Sequence, residues 1–360
     1  MSRRMPRASG YFRTTYAQDF GLVETTLERG ALSVFIVALA TFPFIASPFQ
    51  LDLACQVFLA AIGSLSLMLL TGYAGQISLG HAGLIAAGAF TTGILFKELN
   101  AGFWITLPAS ALAGALLGVV FGLPSLRLRG LYLAVSTLAL HFIVVYLGGE
   151  YETKRGFSTG IVIDPPSLGG YRLTDGRAWY FVLLLFAAAT LLICINLLRS
   201  RTGRAWRAIR GQETVAEALG IHIAAYKLLA FVISSAMTAV AGCLFAYYRG
   251  FVSVEAFSLF LSIQYVAMVI VGGMGSLLGA ILGAIFVTLF PYLIEGGVMS
   301  LPGAERYAGD IFEFNYAAFG FVMILFLVLE PLGLVGLWHR IQSYFLLWPF
   351  KHKPIAGSRK

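Results

Sequence analysis

Charged side chains and cysteines are scarce in this chain of 360 residues. Only 12% of the residues are Asp, Glu, Lys or Arg, whereas ordinary soluble domains carry about a quarter. The mean hydropathy is +0.84. The three cysteines, Cys55, Cys194 and Cys243, all lie in apolar runs, which is typical of small buried side chains rather than disulfides. This composition excludes a disordered chain and argues against a soluble globular enzyme.

The groups that membrane chemistry requires are also missing. None of the 25 basic and 17 acidic side chains falls in the middle of an apolar run, where a proton-coupled carrier usually places one. Among the histidines, His141 occupies such a position, and we expect it to be a hydrogen-bonded packing residue. Paired aspartates and metal-ligand spacings are absent from the sequence. A membrane enzyme is therefore the weakest interpretation.

The chain has no nucleotide-binding loop of its own. A phosphate-binding loop needs glycine directly before its lysine, but the six lysines follow Phe, Thr, Tyr, Phe, His and Arg. We therefore expect no cofactor to bind to this chain. A membrane protein with neither coupling carboxylates nor an ATPase loop is either a passive channel or one subunit of a larger machine.

Long uncharged runs are what the sequence does contain. A lipid-spanning helix needs roughly 20 apolar residues. The uncharged runs cover residues 31–51, 53–96, 101–126, 130–149, 178–198, 228–248, 256–294 and 314–329. Two runs are about twice the required length and contain glycine-rich breaks, at 71–75 and 272–275. The runs do not show the strict alternation of apolar and polar residues that is typical of a membrane β-barrel. The pattern predicts an all-α membrane protein with about ten transmembrane helices, some broken at Gly-rich segments.

The basic residues predict which side each end faces. Ten crossings put both termini on one side. That side holds five Lys or Arg in the N-terminal tail, two at 127–129, six in 199–227 and five in the C-terminal tail, 18 of 25. The other side holds 7, together with 11 of the 17 acidic residues. Because cytoplasmic loops carry the Lys/Arg excess, the N- and C-termini are predicted to be cytoplasmic. Charges divided in this way also exclude a nucleic-acid partner.

The same pattern divides the chain into three parts. We expect a cytoplasmic N-terminal tail at 1–30, a transmembrane domain at 31–335 and a cytoplasmic basic tail at 336–360. The first apolar run begins too far from the N-terminus for a cleaved signal peptide, so a retained first helix is expected. Within the domain, residues 199–227 form a cytoplasmic loop.

The segment 199–227 predicts two short amphipathic helices at the membrane surface. Arginines recur at every third residue in its first half, Glu213 and Glu217 lie one turn apart in its second, and Gly220 is placed to end the helix. A plain basic connector would explain the arginines but not the acidic second helix with its glycine stop. The pattern favours a protein-docking surface. Its candidate coupling residues are Arg207, Arg210, Glu213, Glu217, Ala218 and Gly220.

The two glycine-rich breaks allow two interpretations. Small residues let helices pack closely, which is the simpler one. Glycine-interrupted segments in the two halves of a transporter also mark discontinuous helices around a substrate site. Whether the halves form an internal repeat stays open. The candidate substrate path comprises Gly72, Gly75, Gln76, Ser78, His81, Gln264, Gly272 and Gly275.

Several segments resemble one transporter family. They are GYAGQISLGHAG at 72–83, GLYLAVSTLA at 130–139, EALGI at 217–221, YKLLAF at 226–231 and AMVIVGGMGS at 267–276. Together they resemble the permease subunits of bacterial high-affinity branched-chain amino acid ABC importers. The similarity runs in order from about residue 50 to residue 335.

This resemblance implies a subunit of the bacterial inner membrane with several partners. It implies a second, related permease, two cytoplasmic ATPase subunits that use ATP and Mg, and an extracytoplasmic solute-binding protein. The segment 213–220 would insert into a groove on the ATPase. The segments 150–177 and 295–313 would face the binding protein. The substrate stays open between a hydrophobic amino acid and urea or a short amide, and a passive channel is the alternative outside this class.

Overall fold

The computed structural model describes residues 26–126, 130–157, 160–168, 171–299, 311–330 and 332–347. Most of the predicted tail 1–30 and the end of the predicted tail 336–360 lie outside these ranges, as do Arg127 and Arg129.

Helices dominate the described part of the chain, as predicted. Their bounds are α1 Thr26–Ile45, α2 Pro48–Leu67, α3 His81–Leu99, α4 Phe103–Ser125, α5 Leu131–Arg155, α6 Gly176–Arg199, α7 Arg201–Gly211, α8 Glu213–Ala218, α9 Ile223–Arg249, α10 Leu259–Gly272, α11 Leu277–Met299, α12 Ile311–Leu329 and α13 Gly333–Leu347.

Seven helices in the described ranges are long and apolar enough to cross a membrane: α2 with its extension to Tyr73, α3, α4, α5, α6, α9 and α11. Three shorter apolar helices accompany them, at Leu32–Ile45, Leu259–Gly272 and Tyr316–Phe326. The prediction of an all-α membrane protein is confirmed. The count of ten crossings and the sides of the termini stay predictions.

The centre of the bundle is formed by α2, α3 and α9. Its buried polar groups pair across helices: Ser66 Oγ lies 2.8 Å from Thr238 Oγ1, and Ser234 Oγ donates to Ser66 O at 2.7 Å. Glycine allows the close approach of α3 and α9, since a β-carbon on Gly88 would lie 2.7 Å from Ala239 Cα. Small side chains and mutually satisfied hydroxyls therefore hold this core together.

Both predicted breaks are present. The first begins after a π-helical turn, Met68–Tyr73, that extends α2, and residues 74–80 are non-helical before α3 starts. The second separates the end of α10 at Gly272 from the start of α11 at Leu277. The two double-length apolar runs are thus each divided near their glycines.

The two ends of the bundle differ. One end, here called the arginine end, carries α7 and α8. The opposite end carries two small antiparallel sheets: β1 (Ile161–Val162) pairs with β4 (Phe251–Val252), and β2 (Ser167–Leu168) pairs with β3 (Tyr171–Arg172). The segment 150–177, which the resemblance places opposite the binding protein, contains three short strands.

Candidate functional site

The loop at the arginine end forms the two predicted helices, and a buried tryptophan fixes the first of them. Trp206 on α7 is fully buried, and its Nε1 donates to the backbone oxygen of Tyr226 at 2.9 Å. Tyr226 lies in the first turn of α9. Helix α7 is therefore attached directly to a membrane helix.

Arg207 connects α7 with the preceding helix. Its Nη2 donates to Leu198 O at 3.0 Å and its Nε to Gly203 O at 3.3 Å. Leu198 lies in the last turn of α6, whose terminal carbonyls lack intrahelical partners. This candidate coupling residue thus uses its guanidinium within the chain, where it joins α6 to α7.

Gly220 ends the second loop helix as predicted. Its φ is 81°, in the left-handed region, and its N–H donates to Glu217 O at 2.9 Å just beyond α8. A β-carbon at this position would meet no atom within 4 Å. The backbone angle, not the surrounding space, therefore requires glycine here.

Glu213 makes an ion pair within the chain. Lys227 Nζ lies 2.5 Å from Glu213 Oε1, and the lysine side chain is only 13% exposed. Glu213 therefore does not present an unbalanced negative charge at the surface. Its charge is balanced by a lysine at the start of α9, so Glu217 is the acidic side chain that α8 exposes.

The outer face of α8 is exposed and largely apolar. Val215 is 50% exposed and Leu219 is 75% exposed, while Glu217 and Ala218 are also exposed. Ala216, on the inner face, is buried. Exposed apolar side chains around one acidic residue form the kind of surface that another protein covers.

Arg210, the last arginine of α7, reaches both breaks. Its Nη1 donates to the backbone oxygen of Gly72. A β-carbon at Gly275 would lie 2.5 Å from the same nitrogen, and one at Gly75 would lie 3.4 Å from Arg210 Cγ. Three of the predicted path glycines therefore surround one arginine of the loop.

The two breaks also touch each other. The N–H of Gly275 lies 3.2 Å from Met68 Sδ, and a β-carbon at Gly72 would lie 3.0 Å from Gly275 N. Gly272 instead packs on the next helix, because its β-carbon would lie 2.6 Å from the carbonyl carbon of Gly279. The structure thus brings Gly72, Gly75 and Gly275 together and places Gly272 in a helix-packing contact.

The first break leads into a group of buried polar side chains. Gln76, Ser78 and His81 are each at most 3% exposed. Gln76 Oε1, Ser78 Oγ and His81 Nε2 have no hydrogen-bond partner in the structure, and neither has Nδ1 of buried His141. His141 lies beside this group, since its Cα would be 2.6 Å from a β-carbon on Gly83.

Such unpaired groups are costly, at about 1–3 kcal/mol each. Seven side-chain atoms in the described ranges are in this state, and four of them belong to these residues around the start of α3. Concentration of unpaired polar atoms in one place marks a candidate functional site. We call Gln76, Ser78, His81 and His141 the polar cluster.

Three residues that contact this region were missed by the sequence analysis. Ser262 Oγ accepts from Ala82 N at 3.0 Å, and Thr137 Oγ1 accepts from Leu79 N at 2.9 Å. The ring of Tyr265 packs on His81 with centroids 4.7 Å apart. Isolated polar residues three apart in an uncharged helical run, as Ser262 and Tyr265 are, could have indicated this face of α10.

The predicted partner from α10, Gln264, lies elsewhere. It is half-buried and stands two positions from Ser262, so its side chain leaves the helix from a different face. Gln264 therefore does not share the face of α10 that carries Ser262 and Tyr265, and its place in the substrate path stays a prediction.

The described ranges contain no group of three or more His, Cys, Asp or Glu residues that could hold a metal ion. All three cysteines are buried and free, in agreement with the absence of disulfides expected for them. The side chains of the polar cluster are neutral, whereas the charged guanidinium of Arg210 lies against both breaks.

The apolar helices, the paired breaks and the exposed loop helix define a multi-pass, all-helical membrane protein. A family model described as the permease component of branched-chain amino acid transport systems matches residues 50–328, and the chain belongs to this family. The matched range agrees with the resemblance found in the sequence.

Curated relatives agree with this assignment. The high-affinity branched-chain amino acid transport system permease protein LivM of Escherichia coli is 34% identical over 89% of this chain and 77% of its own length. LivM of Salmonella typhimurium is 32% identical over 86% and 76%. The autoinducer 2 import system permease protein LsrC of an Enterobacter species is 28% identical over 74% and 79%. No solved structure matches significantly.

Proposed function

We propose that this chain is the membrane-spanning permease subunit of an ATP-driven importer that moves branched-chain or other hydrophobic amino acids into the cytoplasm. The observation that carries the proposal is α8, an exposed, glycine-ended helix attached to the membrane helices through α7 and Lys227. Such a helix would give a separate ATPase subunit a point of contact, which suits a chain whose sequence contains no phosphate-binding loop.

The proposed assembly contains the partners that such a subunit needs. We place the chain in the bacterial inner membrane with its termini and α8 in the cytoplasm. Beside it would stand a second, related permease, beneath it two ATPase subunits that bind ATP and Mg, and outside it a solute-binding protein. Docking on α8 would use Val215, Glu217, Ala218 and Leu219, which are all exposed.

The proposed substrate path passes the polar cluster. A zwitterionic amino acid carries two charges that need partners, and the start of α3 offers a helix N-terminus with a partial charge of about +0.5. The unpaired atoms of Gln76, Ser78 and His81 lie at the same place. Neutral donors and acceptors at a helix end suit an amino acid better than an inorganic ion.

Branched-chain amino acids are favoured over urea or a short amide because the family model and both LivM relatives are described as branched-chain amino acid permeases. Purified subunits reconstituted in vesicles test this. We expect uptake of leucine, isoleucine and valine that needs ATP, Mg and both ATPase subunits, with little uptake of urea. Downhill flux without ATP would identify a passive channel, and preferred uptake of urea would identify the alternative importer.

Single cysteines test the proposed orientation. Asp164 and Thr214 are both exposed, the first at the opposite end of the bundle and the second on α8. A membrane-impermeant thiol reagent should label Asp164→Cys in intact cells and Thr214→Cys only after the membrane is opened. Labelling of both from one side would contradict the orientation.

A further inference from the structure

The contacts of Arg210 go beyond those of a surface arginine. Its guanidinium donates to the backbone oxygen of Gly72, in the π-helical turn that leads into the first break, and lies against Gly275 in the second break. Both contacts involve the same nitrogen, Nη1, so the end of the rigid planar guanidinium lies between the two backbone segments. No other arginine of α7 has this arrangement in the described contacts: Arg204 bonds to Arg199 O and Arg207 to Leu198 O and Gly203 O.

Arg210 is also connected closely to α8. Helix α7 ends at Gly211 and α8 begins at Glu213, so Gln212 alone separates them. The N–H of Gln212 donates to Ala208 O at 3.1 Å, and its carbonyl accepts from Ala216 N at 3.1 Å. These two hydrogen bonds join Gln212 to both helices and leave little room for α8 to move independently of α7. A displacement of α8 must therefore move Arg210.

The second break borders open space on one side. A cleft of about 550 Å³ borders it, lined by residues 273–276 and by Leu332, Val335, Gly336 and Arg340. The first break is a non-helical segment of seven residues, 74–80. Neither break is therefore a continuous helix that would resist a local shift.

We propose that Arg210 is a positioning residue that ties α8 to both glycine breaks, so that movement of α8 shifts the two breaks together. This rests on the proposed function, in which an ATPase docks on α8. In a purely structural alternative, Arg210 only satisfies a carbonyl at the end of α2. Its loss would then lower stability without separating the breaks from the loop.

Hydrogen–deuterium exchange on the complete reconstituted complex distinguishes these two roles. Exchange is measured with and without a non-hydrolysable ATP analogue in peptides covering 68–80, 268–280 and 213–220. The variants are Arg210→Ala, Arg210→Lys and the control Arg204→Ala, which removes the same charge from the same helix. Uptake and ATP hydrolysis are measured in the same preparations.

In the unmodified protein and in Arg204→Ala, the nucleotide should change exchange in all three peptides. In Arg210→Ala only 213–220 should respond, and the amount of amino acid imported per ATP should fall about tenfold, within the usual range of coupling between sites. Lysine can reach one carbonyl but not both breaks. Arg210→Lys should therefore keep the response of 68–80 and lose that of 268–280.

An unchanged response of both breaks in Arg210→Ala, with normal import per ATP, would overturn the proposal. If Arg210→Ala does not assemble, Arg210→Lys tests the proposal instead. A full exchange response to the nucleotide at 268–280 in Arg210→Lys would also overturn it. Absence of any response at 213–220 in the unmodified complex would instead overturn docking on α8. Failure of the docking and failure of the arginine link are thus separate results.

Discussion

The two glycine-rich breaks look alike in sequence but differ in structure. The first break consists of seven non-helical residues, 74–80. It leads into the polar cluster, whose buried side chains have polar atoms without a hydrogen-bond partner. The second is short and held by backbone packing. A β-carbon on Gly279 would lie 2.7 Å from Gly273 O, and one on Gly333 would lie 2.6 Å from Gly273 N.

This difference separates two uses of glycine in a membrane bundle. In the second break glycine removes side chains so that backbones can meet. In the first it ends a helix and exposes polar groups to the interior of the bundle, where such groups are expensive unless they serve a function. The following predictions test that separation, from the largest expected effect to the smallest.

Gly272→Val should have the largest effect, because it forces a side chain into the packing behind the second break. Its β-carbon would lie 2.6 Å from the carbonyl carbon of Gly279, and overpacking costs about 1–3 kcal/mol or more. We expect a lower melting temperature in detergent and little assembled permease. Gly296→Val is the control, since that position is exposed and open. A stable Gly272→Val permease with normal uptake would refute tight packing here.

Gly220→Val should come next, and it leaves both breaks untouched. A β-branched residue at φ 81° is strained by about 1–2 kcal/mol, so the end of α8 should change direction. We expect uptake to fall about tenfold and ATPase pull-down to weaken while the permease still inserts. Glu217→Lys should act in the same direction but less strongly.

Gly211→Val is the matched control for Gly220→Val. Gly211 is also exposed with open space around its β-carbon, but its φ is not positive. It should keep most of the uptake. If both variants behave alike, the left-handed end of α8 is irrelevant to coupling.

Gln76→Ala and Ser78→Ala should lower uptake several-fold without lowering stability. Each removes an unpaired buried polar group, so the free energy of unfolding should stay constant or rise. Ser66→Ala provides the contrast. Its hydroxyl is bonded to Thr238, and its loss should destabilise the protein by about 1 kcal/mol with little change in uptake. Unchanged uptake in both break variants would remove the polar cluster from the substrate path.

The smallest effects should come from the polar residues near the second break. Ser276 Oγ accepts from Gly279 N at 3.3 Å at the start of α11, so Ser276→Ala should cost about 1 kcal/mol of stability. Gln264 lies on a different face of α10 from Ser262. Gln264→Ala should therefore change uptake by less than about twofold. A tenfold loss in Gln264→Ala would show that the second half contributes to the path after all.

The sequence predicted features that depend on local chemistry. Both breaks, the two loop helices and the left-handed Gly220 follow from glycine placement, charge spacing and run length, which act over a few residues. The positions of Gly72 and Gly275 in breaks could therefore be anticipated, although their contact with each other could not.

Features that depend on helix packing were not predictable in this way. Arg210 and Gly72 are 138 residues apart, and Ala82 and Ser262 are 180 apart. The ion pair of Glu213 with Lys227 requires α8 to fold back on α9. Only the assembled bundle determines these partners, because many polar residues share each helix and periodicity does not select among them.

The absence of charged side chains from the polar cluster affects how readily ions could cross the membrane there. Gln76, Ser78, His81 and the neighbouring Thr137 and Ser262 include no Asp, Glu, Lys or Arg. A bare ion entering such a place would lose its hydration without finding a counter-charge, at a cost of several kcal/mol. A zwitterion has no net charge and can be met by weak dipoles at both ends. In the proposed substrate path, such a passage would admit an amino acid while protecting the ion gradients of the membrane that it crosses.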